Sequence, residues 1–276
     1  MIKLFTMVKD EVDIIKEWII YHGCLFGWQN IFIIDNDSTD GTFEIIQEFA
    51  HLINVYQKSD YKLKGQYMQE LIQEHCSDKS IAIPIAIPID IDEFIIYYDK
   101  ENNKINTDRD FIINYILQLK PASVYKMNYI NPINTCEDGY DQAIKMLEYG
   151  SYADYDNLAK SFINTSLFTG KIDHGNHIIC ENYLLTNICL IHYHSRNINQ
   201  LKKKILNNII GLGYPNNIDA LTEIITKNNI CPGNHHVKNQ IMVLNNTFRF
   251  KSVKVLDIDN LINLVEFTIK IKYGYY

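Results

Sequence analysis

The sequence predicts an α/β fold: a mostly parallel sheet flanked by helices, followed by a helical C-terminal extension. Three observations carry this. The chain opens with an apolar strand pattern, an amphipathic helix and a second apolar run, a β-α-β start. Strand-like and helix-like segments then keep alternating, the order of an α/β sheet. From about residue 200 apolar residues recur at helical spacing.

Ile2 to Met7 reads as a short buried strand, and the acids Asp10, Glu11 and Asp13 suit the start of the following helix. Ile15, Trp18, Ile19, His22, Leu25 and Phe26 form one stripe on that helix, which should end near Gly27. Ile31 to Ile34 is apolar without interruption, as in a parallel strand covered on both faces. The turn-rich Asp35-Asn36-Asp37-Ser38-Thr39-Asp40-Gly41 leads to a helix over Thr42 to Ala50, a strand near Ile53 to Gln57 and a helix around Gln66 to His75.

Ile81 to Ile89 doubles an I-A-I-P unit. Its period of four preserves strand facing, so every Ile should share one side, opposite Ala82, Pro84, Ala86 and Pro88. The two prolines remove ladder donors, so only the last residues are expected to pair on both sides. Beyond it, Asp110 to Leu119 reads as a helix and Ser123 to Tyr129 as a strand, and two strands are expected about Ile178 to His194. Glu137 to Asp156 is polar, Tyr-rich and has no clear period. Leu201, Ile205, Leu206, Ile209 and Ile210 mark a helix. The expected organisation is a catalytic domain over 1–200 and a mainly helical extension, packed on it, over 201–276.

With 276 residues, 47% of them hydrophobic, the chain can build one substantial core. A net charge of -7 gives no general attraction to nucleic acid or to anionic membrane. The apolar run at the N-terminus is too short for a signal segment, and no stretch approaches a membrane span, so a soluble, cytoplasmic protein is expected. Six cysteines occur without a C-x-x-C pair and read as reduced thiols.

Ligands of open α/β sheets bind beyond the carboxyl ends of the strands. Asp35 follows one predicted strand, and Asp90 and Asp92 follow another, which places them on one rim. Carboxylates spaced D-x-D at a strand end can share a hard divalent cation that keeps positions open for phosphate oxygens. The ion would then neutralise charge on a departing nucleotide diphosphate.

Four segments together, Met7-Val8-Lys9-Asp10-Glu11, Glu17-Trp18-Ile19-x-Tyr21-His22, Ile33 to Thr42 and Asp90-Ile91-Asp92-Glu93-Phe94, resemble the GT-A glycosyltransferases of families 2 and 92. The likeness covers residues 1 to 95 and resumes at Lys160-Ser161, Gly175-Asn176-His177 and Ile191-His192-Tyr193. It implies a Rossmann-like GT-A fold and transfer of a sugar, with inversion, from a nucleotide diphosphate donor, a UDP-sugar, to a glycan or other hydroxyl acceptor. By the same resemblance Thr6, Val8 and Lys9 line the nucleotide pocket, and Asp35 or Asn36 reads the base or ribose. Gln66 faces the donor, as does Ile91 between the two aspartates. Asp90 and Asp92 hold Mn2+ or Mg2+, and His192 completes the metal or phosphate environment. Asp10 stands where members often carry Asn, and the Ile-Pro repeat stands where they usually carry Trp.

Inversion requires a carboxylate to deprotonate the acceptor. Asp173, next to Gly175-Asn176-His177, is the preferred candidate over Glu137, Asp138 and Asp141. Lys202, Lys203 and Lys204 could meet donor phosphates or form a solvated helix face. Two alternatives stay open: a metallophosphoesterase-like hydrolase using His174, His177, His192 and His194, and a GT-A-like binding module without catalysis. The hydrolase would need an early D-x-H and a G-D-x-x-D, neither of which occurs upstream of Gly175.

Overall fold

An unbroken apolar strand needs cover on both faces, and the structure supplies it on both sides of the opening segments. The structure is a computed structural model that describes residues 1–77, 83–133, 149–194, 198–227, 233–247 and 261–273. Strands β1 (Ile2–Val8), β2 (Ile31–Asp35) and β3 (Asn54–Gln57) alternate with helices α1 (Ile15–Phe26) and α2 (Thr42–Glu48), and α3 (Lys64–Cys76) leads to β4 (Ile85–Pro88). Then come β5 (Glu93–Asp99), β6 (Lys104–Asn106), α4 (Arg109–Leu117), β7 (Val124–Pro132), β8 (Tyr149–Ala153), β9 (Lys160–Asn164) and β10 (Leu184–His192). The remaining elements are α5 (Ile198–Gly211), α6 (Ile218–Lys227), α7 (Asn234–Leu244), β11 (Leu261–Asn263) and α8 (Val265–Tyr273).

The sheet runs β3-β2-β1-β4-β9-β7-β10-β5-β6, with β8 paired to β7 and β11 to β8. It is an α/β sheet flanked by helices, parallel through β3, β2, β1 and β4 and mixed beyond. Beyond β4 the β7–β10 pair is parallel, while β9 runs antiparallel to β4 and β7, and β5 to β10 and β6. The β5–β6 connection is a short hairpin, which permits only the antiparallel arrangement. These two strands carry no period-2 signal strong enough to have been expected.

Facing follows the expected alternation. Ile85, Ile87 and Ile89 join Leu4, Val8, Ile31 and Ile33 in the core that also buries α1, while Ala86 joins Phe5, Met7, Phe32 and Ile34 against α3. Ile81 and Ala82 lie outside the described residues. Pairing on both sides occurs at Ile85 and Ala86 rather than at the strand's end; Ile87 and Pro88 pair with β1 alone, and Pro88 has no N–H to offer β9.

Helix α1 buries the predicted stripe and stops at Gly27, whose φ of 89° suits glycine. Asp10 and Glu11 do not cap it: its N-cap is Ile14, without a side-chain bond, and both acids are buried and turned elsewhere. Helices α5, α6 and α7 share a small core of Ile209, Leu221 and Val237, whereas Phe267 and Ile271 of α8 join the main core. Of the predicted α5 stripe, Leu201, Ile205 and Ile209 are buried and Ile210 is exposed. Among the described residues no helix is long and apolar enough to cross a membrane.

Candidate active site at the carboxyl ends of the strands

The parallel strands β1, β2 and β4 all end on one rim, so Lys9, Asn36 and the Asp90-Ile91-Asp92 turn converge there. They line a cavity of about 1190 Å³, large enough for an extended ligand. Its opposite wall comes from later in the chain: Tyr129 of β7, Lys160 of β9, His174, Gly175 and His177, His192 and His194 at the end of β10, and Lys204 of α5.

The two aspartates differ in partners. Lys64 Nζ donates to Asp90 Oδ1 and Lys160 Nζ to Asp90 Oδ2, each at 2.6 Å. Burial acts to raise the Asp90 carboxyl, but the two ammonium groups outweigh it and hold the acid well below the usual carboxylate range. Glu93, also buried, accepts from the Asp90 backbone N–H through Oε2 at 2.8 Å and has Lys160 Nζ 3.4 Å from Oε1. Burial raises its carboxyl despite that lysine. Lys160 in turn keeps its proton: burial would lower it, but Asp90 and Glu93 raise it further.

Asp92 faces the other way. Its Oδ2 accepts from Lys204 Nζ at 2.5 Å and lies 3.5 Å from His192 Nε2 and 3.9 Å from His194 Nδ1. Pairing of β10 with β5 sets His192 opposite Glu93, and the Tyr193 N–H donates to the Asp92 carbonyl at 2.8 Å, so both imidazoles are fixed beside the acid. One ligand atom from each of Asp92, His192 and His194 lies within 4.8 Å of the others. A carboxylate with two imidazoles is a mixed oxygen and nitrogen set suited to a first-row divalent ion such as Fe2+ or Mn2+, and unlike the all-oxygen set of Mg2+. Asp90 is outside this group, and both its oxygens are held by lysines.

The loop after β2 is tied to β1 and α5. Lys9 Nζ donates to the carbonyls of Asn36 and Asp37 at 2.8 and 2.9 Å, and Asn36 Nδ2 donates to the Lys58 carbonyl at 2.6 Å. Asp10, at φ 55°, accepts from the Thr39 N–H at 2.7 Å and from Asn207 Nδ2 at 3.1 Å. Lys203 reaches Asp40 at 3.0 Å.

Of the residues singled out from sequence, Lys9, Asn36, Asp90, Ile91, Asp92 and His192 line the cavity; Thr6, Val8, Asp35, Gln66 and Asp173 do not. The reason for the first three is parity. Met7 and Lys9 face the cavity side of β1, so Thr6 and Val8 point into the opposite core, as does Asp35, paired with Val8. Gln66 is exposed and donates to Glu70 Oε1 at 2.8 Å. Asp173 is exposed and accepts from the His177 N–H at 2.9 Å, closing its own turn. Glu137, Asp138 and Asp141 lie outside the described residues. His174 and His177 line the cavity but are not part of the three-ligand group; His177 Nδ1 bonds the Leu158 carbonyl at 2.7 Å.

Sequence reasoning gave no role to Lys64, Lys160 or Glu11 in the site. Lys160 had two visible signals, the likeness at Lys160-Ser161 and its place just before the apolar Phe162-Ile163 pair, but neither gave it a role. Trp18, Tyr21 and His22 turn out to do more than fill the core. Trp18 Nε1 donates to the Glu93 carbonyl at 3.0 Å, Tyr21 Oη to the Ile95 carbonyl at 2.6 Å, and His22 Nε2 lies 3.3 Å from the Ile95 N–H.

No family model matches the chain, and no curated protein does. Solved structures similar to it include the Pyrobaculum calidifontis mannosyltransferase PcManGT in complex with GDP-Man and Mn2+, at 9% identity and a TM-score of 0.44, covering 88% of this chain and 69% of that one. Residues 1–349 of S. aureus TarS are similar at 10% identity and a TM-score of 0.43, covering 89% and 71%. Glucosyl-3-phosphoglycerate synthase from Mycobacterium tuberculosis, with Mn2+, UDP-glucose and phosphoglyceric acid, is similar at 12% identity and a TM-score of 0.39, covering 78% and 80%. Family 92 finds no support among these structures.

Proposed function

We propose that the chain is a GT-A-type glycosyltransferase that moves a sugar, with inversion, from a UDP-sugar to a hydroxyl acceptor. One observation carries this reading: the Asp90-Ile91-Asp92 turn meets His192, His194, Lys9 and Asn36 in a single large cavity. The nucleoside end is assigned to the Lys9 and Asn36 rim, and the catalytic unit to residues 1–200, with 201–276 as an extension that contributes Lys203 and Lys204.

Asp92, His192 and His194 would hold Mn2+ rather than Mg2+, whose ligands are oxygens. When bound, the ion supplies Lewis-acid neutralisation of the diphosphate leaving group. Asp90, kept ionised by Lys64 and Lys160, presents a fixed carboxylate that accepts hydrogen bonds from donor hydroxyls. Its side chain is 31% exposed, which leaves it reachable from the cavity, while Lys160 behind it is only 2% exposed. Such a buried counter-charge fixes the acid's position as well as its ionisation, which is how a site pre-organises a contact.

The test is a screen of UDP- and GDP-sugars, with and without Mn2+, that follows release of free nucleotide. Release from one UDP-sugar with Mn2+, lost in Asp92→Ala, is the expected result. Failure of every donor to bind, with or without metal, would overturn the reading, and donor binding without transfer would indicate a binding module.

A further inference from the structure

Lys204 crosses the cavity from α5 to Asp92 Oδ2, at 2.5 Å, the oxygen that lies 3.5 Å from His192 Nε2 and 3.9 Å from His194 Nδ1. Glu11 Oε1 lies 3.7 Å from the same ammonium. Lys64 and Lys160, the other lysines near the acidic turn, are both committed to Asp90. Among the described residues, Lys204 is thus the lysine that stands beside Asp92 where a divalent ion would be held.

An ammonium at 2.5 Å from Oδ2 occupies the space a cation shared with the two imidazoles would take. An ammonium and a divalent cation about 4 Å apart repel by more than thermal energy even in water. The remaining contacts of α5 do not depend on Asp92: Lys203 is on Asp40 at 3.0 Å, Gln200 Nε2 donates to the Asp10 carbonyl at 2.8 Å, and Asn207 Nδ2 to Asp10 Oδ2 at 3.1 Å. The helix keeps these anchors while one flexible side chain moves.

We infer that Lys204 is an exchangeable counter-ion, paired with Asp92 in the metal-free protein, displaced by the divalent ion, and then paired with the donor diphosphate. This rests on the glycosyltransferase reading above. Exchange makes the metal bind weakly on its own and couples its binding to that of the nucleotide, because the displaced ammonium gains a phosphate partner only when both are present.

The experiment is a titration of the full chain with Mn2+, read by the electron paramagnetic resonance of the free ion, with and without UDP. Lys204→Met and Lys204→Gln are compared with wild type and with Lys203→Met, which removes a neighbouring charge that is not on Asp92; thermal denaturation checks that each variant folds. Without UDP, both Lys204 variants should bind Mn2+ about tenfold tighter, and Lys203→Met should change the affinity less than about twofold. With saturating Mn2+, UDP should bind the Lys204 variants about fivefold more weakly. Wild-type binding that is matched by the Lys204 variants, or an equal gain in Lys203→Met, would overturn the exchange and leave the glycosyltransferase reading standing. Absence of Mn2+ binding in every protein, with and without UDP, would overturn both.

Discussion

The parallel half of the sheet and its mixed half make unlike contributions to one cavity. The acids Glu11, Asp90, Asp92 and Glu93 follow strand ends of the first 95 residues, inside short recognisable segments. Apart from Lys64, the groups that hold them come from β9, the end of β10 and α5, 112 positions away for Lys204 on Asp92 and 189 for Gln200 on Glu11. Local sequence places the carboxylates; topology decides what each one meets. Two aspartates separated by a single isoleucine thus end with different tasks, Asp90 clamped by two lysines and Asp92 turned toward two histidines.

The sharpest way to break this contrast is Lys160→Met. It leaves the buried Glu93 without its lysine and the partly exposed Asp90 with Lys64 alone, and is expected to cost about 3–5 kcal/mol, read from urea unfolding. Lys64→Met should cost less, since Lys160 still reaches both acids. Asp92→Ala should instead act on chemistry, lowering transfer by about 10²–10³-fold and removing Mn2+ binding, with the fold retained by circular dichroism.

A third prediction concerns the core beneath the turn. Burial lowers His22 to about 3, although its bond to the Trp18 carbonyl works the other way. Its folded value lies below the unfolded value of about 6.5, so the neutral form is favoured by folding. The stability it contributes is present above about pH 6.5 and is lost as pH falls toward 3, with a slope of up to about 1.4 kcal/mol per pH unit. Unfolding midpoints at pH 7, 6, 5 and 4 would show it, and a flat profile would contradict a neutral His22. The smallest effect is expected of Gln66→Ala, less than about twofold in donor affinity by titration, because that amide bonds Glu70 at the surface.

The opening strands and helices were legible because each has its own period, and the rim was legible because parallel strands must end together. Thr6 and Val8 show what a motif alone cannot say: neighbouring strand residues face opposite sides, and only Met7 and Lys9 face the cavity. Lys204 was one of three neighbouring lysines that could either meet donor phosphates or face solvent; which of these holds depends on where α5 docks, and its contacts with Asp10 and Asp40 lie in space rather than in sequence. Lys160 was hidden for a related reason, since its partners are acids from another strand.

The side-chain bonds from α1 to β5 have a consequence for the sheet's margin. Glu93 and Ile95 lie beyond the end of β6, whose ladder covers only Tyr97 to Asp99, so among the described residues no strand pairs with them on that side. Trp18, Tyr21 and His22 fill the gap with an indole, a phenol and an imidazole in place of a neighbouring backbone, and the Glu93 N–H closes on the Asp90 carbonyl. An edge that would otherwise invite a foreign strand is thereby closed by a helix, next to the turn that carries Asp92.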